Sequence, residues 1–150
     1  MAATVLPIWS DGRVSLIREF KYAINRYSIE AMSGGAKLDE TPEQAAVREL
    51  REELGLVAKV WQHVGCIDPF TTIVDGPNHM YLAKGLTFLG HNRDAEEEIE
   101  VIEVTLEEAA RLVREGKITH SASCVLILRA LELVVRDAGC VMSGRSLILV

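Results

Sequence analysis

GGAKLDETPEQAAVRELREELGL, residues 34–56, decides how this chain is read. Its middle is a helix with both ends written out. Thr41 can serve as N-cap, Pro42 suits the first helical position, and Gln44 completes a Thr-x-x-Gln capping box. Gly55 can stop the helix as the residue just past its C-terminus. On a wheel of roughly 100° per residue, Glu49, Glu52 and Glu53 fall within an arc of about 100°. Val47, Leu50 and Leu54 fall together on another face, which can pack on a sheet. The helix thus converges three carboxylates on one side and is held by the other. Arg48 lies about 100° away on that wheel and can orient a carboxylate through a bidentate pair.

Like charges this close disfavour one another. A divalent cation removes the conflict. Hard carboxylate oxygens suit Mg²⁺ or Mn²⁺, which keep several waters and also bind substrate phosphates. The competing reading is a solvated acidic face in which Arg48 supports Glu52 one turn on. The flanking residues decide against it. Gly34 and Gly35 let backbone approach a phosphate or metal closely, and the helix N-terminus points toward an anionic ligand. From Gly34 the order is five residues to Glu40, seven more to Arg48-Glu49-Leu50, one to Glu52-Glu53, and one to Gly55-Leu56. This resembles the signature of the Nudix hydrolases at every specified position. At ordinary residue usage, a chance match has odds below about one in a million.

Outward from this box, RVSLIREFKYAINRYSIEAM (13–32) reads as two strands joined at Asn25-Arg26. AKVWQHVGCI (58–67) and HMYLAKGLTFL (79–89) read as strands around the loop PFTTIVDGPN (69–78), and EIEVIEV (98–104) alternates as a strand. TLEEAARLVREG (105–116) is a second helix, with Thr105 and Glu108 as a capping box and Gly116 as its stop. SASCVLILRALELVVRD (121–137) is a third helix, apolar on more than one side and so expected to be well buried. About a dozen residues precede the first expected strand. The expectation is α+β: one domain over 1–150, a Nudix-type α/β/α sandwich with a mixed β-sheet.

The chain's 150 residues and 49% hydrophobic content fit one domain with a sizeable core. A formal net charge of -6 argues against a general nucleic-acid surface. It leaves room for an anionic substrate held through metal ions. Cys66, Cys124 and Cys140 are odd in number and widely spaced, which reads as free thiols in a reducing compartment. The N-terminus has no basic start and no long apolar run, and no window reaches about 18 apolar residues. A cytoplasmic protein with no membrane span is expected. His63, His79, His91 and His120 show no metal-ligand spacing and read as surface or loop residues, although His120 stands before the last helix where it could touch substrate.

The resemblance extends beyond the box. REFKYAINRYSIEAMSGGAKLDE (18–40) is similar to the ADP-ribose pyrophosphatase branch. Arg18, Glu19, Phe20 and Lys21 stand where that branch has a basic residue, Gln, an aromatic and Arg, and Glu30 stands for its glutamate before Pro-Ala-Gly. DAEEEIEV resembles the branch's acidic loop, and EGKITHSASCVLILRAL its last-helix approach. Departures are visible: Met32-Ser33 replaces Pro-Ala, Lys21 replaces an arginine, and PFTTIVD lacks a Ser-Pro-Gly turn although Asp75 fits.

Carried over by position, the resemblance implies metal ligation by Glu49, Glu53 and Glu52, with the Ser33 carbonyl and Glu97 as further ligands. Glu96 and Glu98 lie within one register step of Glu97. Glu53, Glu52, Glu97 and Arg48 form the implied catalytic set. Lys21, Arg18, Glu30, Gly34 and Gly35 form the implied substrate set. Lys21 reads equally as a phosphate contact or a solvated strand-edge lysine, and Glu30 as a ribose contact or a turn cap. The implied reaction is attack of metal-bound water on a nucleoside diphosphate, with Mg²⁺ (or Mn²⁺) as cofactor. ADP-ribose would give AMP and ribose 5-phosphate. The alternatives are cleavage of a modified nucleoside triphosphate or another nucleotide sugar, and a non-catalytic nucleotide sensor. The resemblance also allows a homodimer.

Overall fold

The structure, a computed structural model, describes residues 1–90 and 99–143, with 137–143 as helix backbone. The chain enters a strand at once. β1 (Ala2–Ile8) turns through Gly12, at φ 84°, into β2 (Arg13–Lys21). The lead expected before the first strand is therefore itself a strand. β1 is buried on both faces along its middle, so it shows no alternation to reveal it.

A short 3-10 turn (Tyr22–Ile24) leads into β3 (Arg26–Glu30), with Asn25 left-handed at φ 51°. One residue later comes β4 (Met32–Gly35). β3 pairs with β2, whereas β4 pairs with β1. Ala31 is the crossing point between the two ladders. It is fully buried, and its N–H donates to Ser123 Oγ at 2.9 Å. Ser123→Ala would leave that N–H without its acceptor. It should cost about 1–3 kcal/mol, read from urea unfolding.

The chain continues through α1 (Pro42–Leu54), β5 (Leu56–Ile67), β6 (Asn78–Phe88), β7 (Glu100–Thr105), α2 (Leu106–Arg114) and α3 (Ser121–Ser143). One ladder runs β4-β1-β6-β5 and the other β7-β2-β3, joined where Ile8 pairs with Val14. β1 and β6 are parallel and the other pairs antiparallel, so the sheet is mixed as expected.

α1 covers one face. Its Ala45, Ala46, Leu50 and Leu54 pack on Ala3, Val5, Ile17, Met32, Tyr81 and Ala83. α2 and α3 cover the other, over Leu6, Val14, Leu16, Met80 and Leu82. Three expectations need correction. Val47 is exposed, because the small residues Ala45 and Ala46 make the close contact with the sheet instead. α3 buries a stripe through Ala122, Leu126, Ile127 and Ala130 but leaves Leu128, Val134 and Val135 exposed; only one face of it meets the sheet. Thr105 Oγ1 accepts from the Glu108 N–H, but the Glu108 carboxylate turns to Arg111, so that capping box is half-formed. Among the described residues, no helix is long and apolar enough to cross a membrane.

Candidate active site

Both ends of α1 are pinned as its sequence requires. Thr41 Oγ1 accepts from the Gln44 N–H, and Gln44 Oε1 accepts from the Thr41 N–H. Gly55 ends the helix at φ 67°, with its N–H on the Arg51 carbonyl. A Cβ there would meet the Gly90 carbonyl oxygen at 2.4 Å.

Arg48 fastens the preceding loop to the helix. Nε and Nη2 fork onto Glu40, at 2.9 Å to Oε1 and 3.1 Å to Oε2. Nη1 donates to Glu49 Oε1 at 2.6 Å and to Glu52 Oε2 at 2.9 Å. Nη2 also donates to the Gly35 carbonyl at 2.9 Å. These contacts match the guanidinium's five N–H donors one for one. Hydrogen bonding to Glu40 outweighs desolvation, and with Glu52 and Glu49 it holds Arg48 far above its ordinary value. The i,i+4 support to Glu52 therefore exists, as part of a larger clamp.

Glu40 also accepts from the Lys37 N–H at 2.8 Å. Arg48 first, then that amide, lower its carboxyl below the ordinary 4.5. A lowered folded value means the stabilisation is fully present above 4.5 and lost as pH falls through the folded value. Glu40→Gln should flatten that acid limb. Urea midpoints at about pH 7 and about pH 3.5 would then fall less for the variant than for the wild type.

Glu49 lies directly against the loop backbone. A Cβ built on Gly34 would sit 1.8 Å from Glu49 Oε1, so only glycine leaves this carboxylate its place. The neighbouring Ser33 is anchored from the sheet. Thr4 Oγ1 donates to Asn78 Oδ1 at 2.9 Å, so its one proton is used, and the 2.9 Å contact with Ser33 Oγ must be donated by Ser33. The loop is thus tied to β1, β6 and α1 at once.

Glu53 is half-buried with its Oε2 enclosed, and its charge is felt by Lys21 from β2. Lys21 bonds Glu19 and lies 4.0 Å from Glu30 Oε2. Burial works against the Lys21 charge, but Glu19, Glu30 and Glu53 together hold it above its usual value. Glu30 is buried, and its Oε2 lies 3.6 Å from His120 Nδ1. His120 Nδ1 in turn lies 2.8 Å from Ser123 Oγ. Burial, with Lys21 adding to it and Glu30 opposing, pushes the imidazole below its usual value. Spacing along the sequence gives His120 no metal-ligand role, and its contact with Glu30 of β3 arises only in the fold.

The structure brings Lys21, Glu30, Gly34, Gly35, Arg48, Glu49, Glu52 and Glu53 to one side of the sheet. It does not bring Arg18 there. Residues 18 and 21 alternate to opposite faces of β2. Arg18 donates to Glu100 at 2.9 Å and stacks 4.1 Å over the Tyr27 ring. Glu96, Glu97 and Glu98, like His91 and the tail after 143, lie outside the described residues.

Among the described residues, no three His, Cys, Asp or Glu side chains surround one point. Glu49 and Glu52 are instead turned onto Arg48. The donor set nonetheless fits a hard divalent cation: carboxylates from one helix face, and a glycine cradle that places Glu49 against loop backbone.

Comparison with known proteins gives the family and the fold. Residues 1–123 match the NUDIX domain family model. The "ADP-ribose pyrophosphatase" of Bacillus subtilis is 31% identical over 134 residues, covering 88% of this chain and 72% of that protein. The "ADP-ribose pyrophosphatase" of Mycobacterium tuberculosis is 29% identical over 130 residues, covering 85% of this chain and 63% of that protein. A solved structure, "Crystal structure of ADP compounds hydrolase", matches with a TM-score of 0.81 at 20% identity, covering 91% of this chain and 73% of that one. At that identity the structural likeness concerns the fold.

Proposed function

Because the chain belongs to the Nudix family, we propose that this pyrophosphohydrolase cleaves the diphosphate of ADP-ribose, giving AMP and ribose 5-phosphate, with Mg²⁺ (or Mn²⁺) as cofactor. The observation that carries the reading is the Arg48 clamp. It fixes Glu49 against Gly34, and the charge of the enclosed Glu53 carboxylate acts on Lys21. The names of the two curated relatives support the choice of ADP-ribose.

Glu49, Glu53 and Glu52 would hold the cation, with the Ser33 carbonyl and Glu97 as further ligands. When bound, it supplies neutralisation of phosphate charge and a lowered pKa for water. The chain's own groups do the rest. Lys21 offers a positive point charge to a phosphate oxygen, without the bidentate fork that an arginine would bring. The backbone at Gly34 and Gly35 admits the diphosphate closely. Glu30, buried and acceptor-rich, takes a ribose hydroxyl. Arg48 positions Glu49 and Glu52 without touching the reacting atoms. A carboxylate oxygen of Glu97, or of Glu52, accepts the proton of the attacking water.

Gly34→Ala tests the cradle. Its methyl would displace Glu49 from Arg48, so activity should fall by about 100-fold, and the urea midpoint should fall less than in Arg48→Ala, where every contact of the clamp is lost. The same reading places the enzyme in the cytoplasm, free of nucleic-acid partners, with a homodimer as one assembly to be measured by light scattering.

The substrate is tested by product analysis over ADP-ribose, GDP-mannose, NADH, diadenosine polyphosphates and 8-oxo-dGTP. Preferred turnover of ADP-ribose to AMP and ribose 5-phosphate supports the proposal. Turnover of only a triphosphate or of another nucleotide sugar keeps the chemistry and removes the substrate. Tight binding with no turnover would make the protein a sensor.

A further inference from the structure

Where the chain passes from β3 to β4, neighbouring residues face opposite layers. Glu30 pairs with Ile17, which packs beneath α1, whereas Ala31 belongs to the cluster under α2 and α3. The head of α3 meets both residues. Ser123 Oγ accepts the Ala31 N–H at 2.9 Å. The His120 carbonyl accepts the Cys124 N–H at 3.0 Å, so His120 stands at the N-cap of α3, one turn before Ser123. From there its Nδ1 lies 2.8 Å from Ser123 Oγ and 3.6 Å from Glu30 Oε2.

The surroundings place the ring proton on Nδ1. That nitrogen faces two oxygens. A hydroxyl oxygen accepts two hydrogen bonds, so Ser123 can take the imidazole N–H beside that of Ala31. A bare lone pair on Nδ1 would instead be repelled by the Glu30 carboxylate. Burial, with Lys21 adding to it and Glu30 opposing, keeps the ring neutral at pH 7.

The Glu30 side chain is only 11% exposed, and its Oε2 stands near nitrogens from two elements. Lys21 Nζ of β2 is 4.0 Å away and is drawn to Glu19 as well. The imidazole is the more firmly held of the two, because Ser123 ties it to the backbone at Ala31. Neither distance is that of a hydrogen bond. The imidazole N–H therefore steadies the carboxylate by its charge distribution and leaves the lone pairs of Glu30 for a hydroxyl donor.

Resting on the reading that Glu30 takes a ribose hydroxyl, we propose that His120 is the positioning residue for that contact. It fixes the Glu30 carboxylate from the head of α3, through the Nδ1 proton, without itself touching substrate.

Two replacements at the N-cap separate donor from cap. Serine and asparagine both suit that position, so both variants should fold, as circular dichroism would check. Serine is too short to reach Glu30, whereas the asparagine amide nitrogen stands where Nδ1 does. ADP-ribose kinetics in saturating Mg²⁺ should show KM raised about tenfold in His120→Ser, with kcat changed by less than about twofold. His120→Asn should recover most of the wild-type KM. In a Glu30→Gln background, His120→Ser should add less than about twofold, because the group it acts through is already altered. Should the wild type bind ADP-ribose without cleaving it, Kd from calorimetry reads the same comparison. Wild-type turnover beside an unchanged KM in His120→Ser overturns this inference and leaves the functional reading standing. Equal losses in the serine and asparagine variants, or full additivity with Glu30→Gln, overturn it too. A wild type that neither binds nor cleaves ADP-ribose overturns both.

Discussion

Glu53→Gln should abolish ADP-ribose turnover, lowering kcat by about 10³-fold or more, while the protein stays folded. The amide is nearly isosteric with the carboxyl, so packing between α1 and the sheet is kept. It loses the negative charge that would hold a cation, and that charge also contributes to keeping Lys21 above its usual value. On the proposed reading, the change therefore acts on two groups that would meet the diphosphate. Substrate affinity should fall less than kcat, because the proposed substrate contacts at Glu30, Gly34 and Gly35 are untouched. Steady-state kinetics in saturating Mg²⁺ separates the two quantities. An active Glu53→Gln variant would remove this carboxylate from the reaction.

Arg48→Ala has the largest expected effect on stability, and it lowers the rate as well. Five donated hydrogen bonds disappear together. Glu40 and Glu49, with side chains only 14% and 13% exposed, lose their counter-charge. Removing one partner of such a network costs more than the network itself contributes, about 2–4 kcal/mol here. The loop at Gly35 also loses its tie to the helix, so kcat/KM should drop by about 100-fold or more. Arg48→Lys discriminates between charge and shape. It restores a cation but not the fork, so it should recover part of the stability and little of the activity. Full recovery by lysine would show that charge alone suffices.

The acidic helix was legible because its signals are local. Thr41, Pro42, Gln44 and Gly55 act within a turn of the backbone they cap, so sequence spacing suffices. The carboxylate face was legible for the same reason. Val47 was misread because the wheel assigns a face but not the depth of contact, and Ala45 and Ala46 set that depth. β1 was missed because a strand buried on both sides has no period of two. Arg18 was misplaced by resemblance alone; strand alternation, already present in the sequence, puts it opposite Lys21.

Tertiary features were out of reach. The reach of Arg48 back to Glu40 crosses eight residues and depends on how the loop folds over the helix. His120 meets Glu30 only because β3 passes into β4 beside the start of α3.

The central claim is that the crowded glutamates of α1 serve a cation-dependent cleavage of a nucleotide diphosphate. The most direct measurement is ADP-ribose hydrolysis by the wild-type protein in Mg²⁺, then after excess chelator, then after Mg²⁺ is restored. Turnover that stops with the chelator and returns with the metal is the result this account predicts. Turnover that persists in chelator, or ADP-ribose recovered intact from Mg²⁺-containing enzyme, would contradict it.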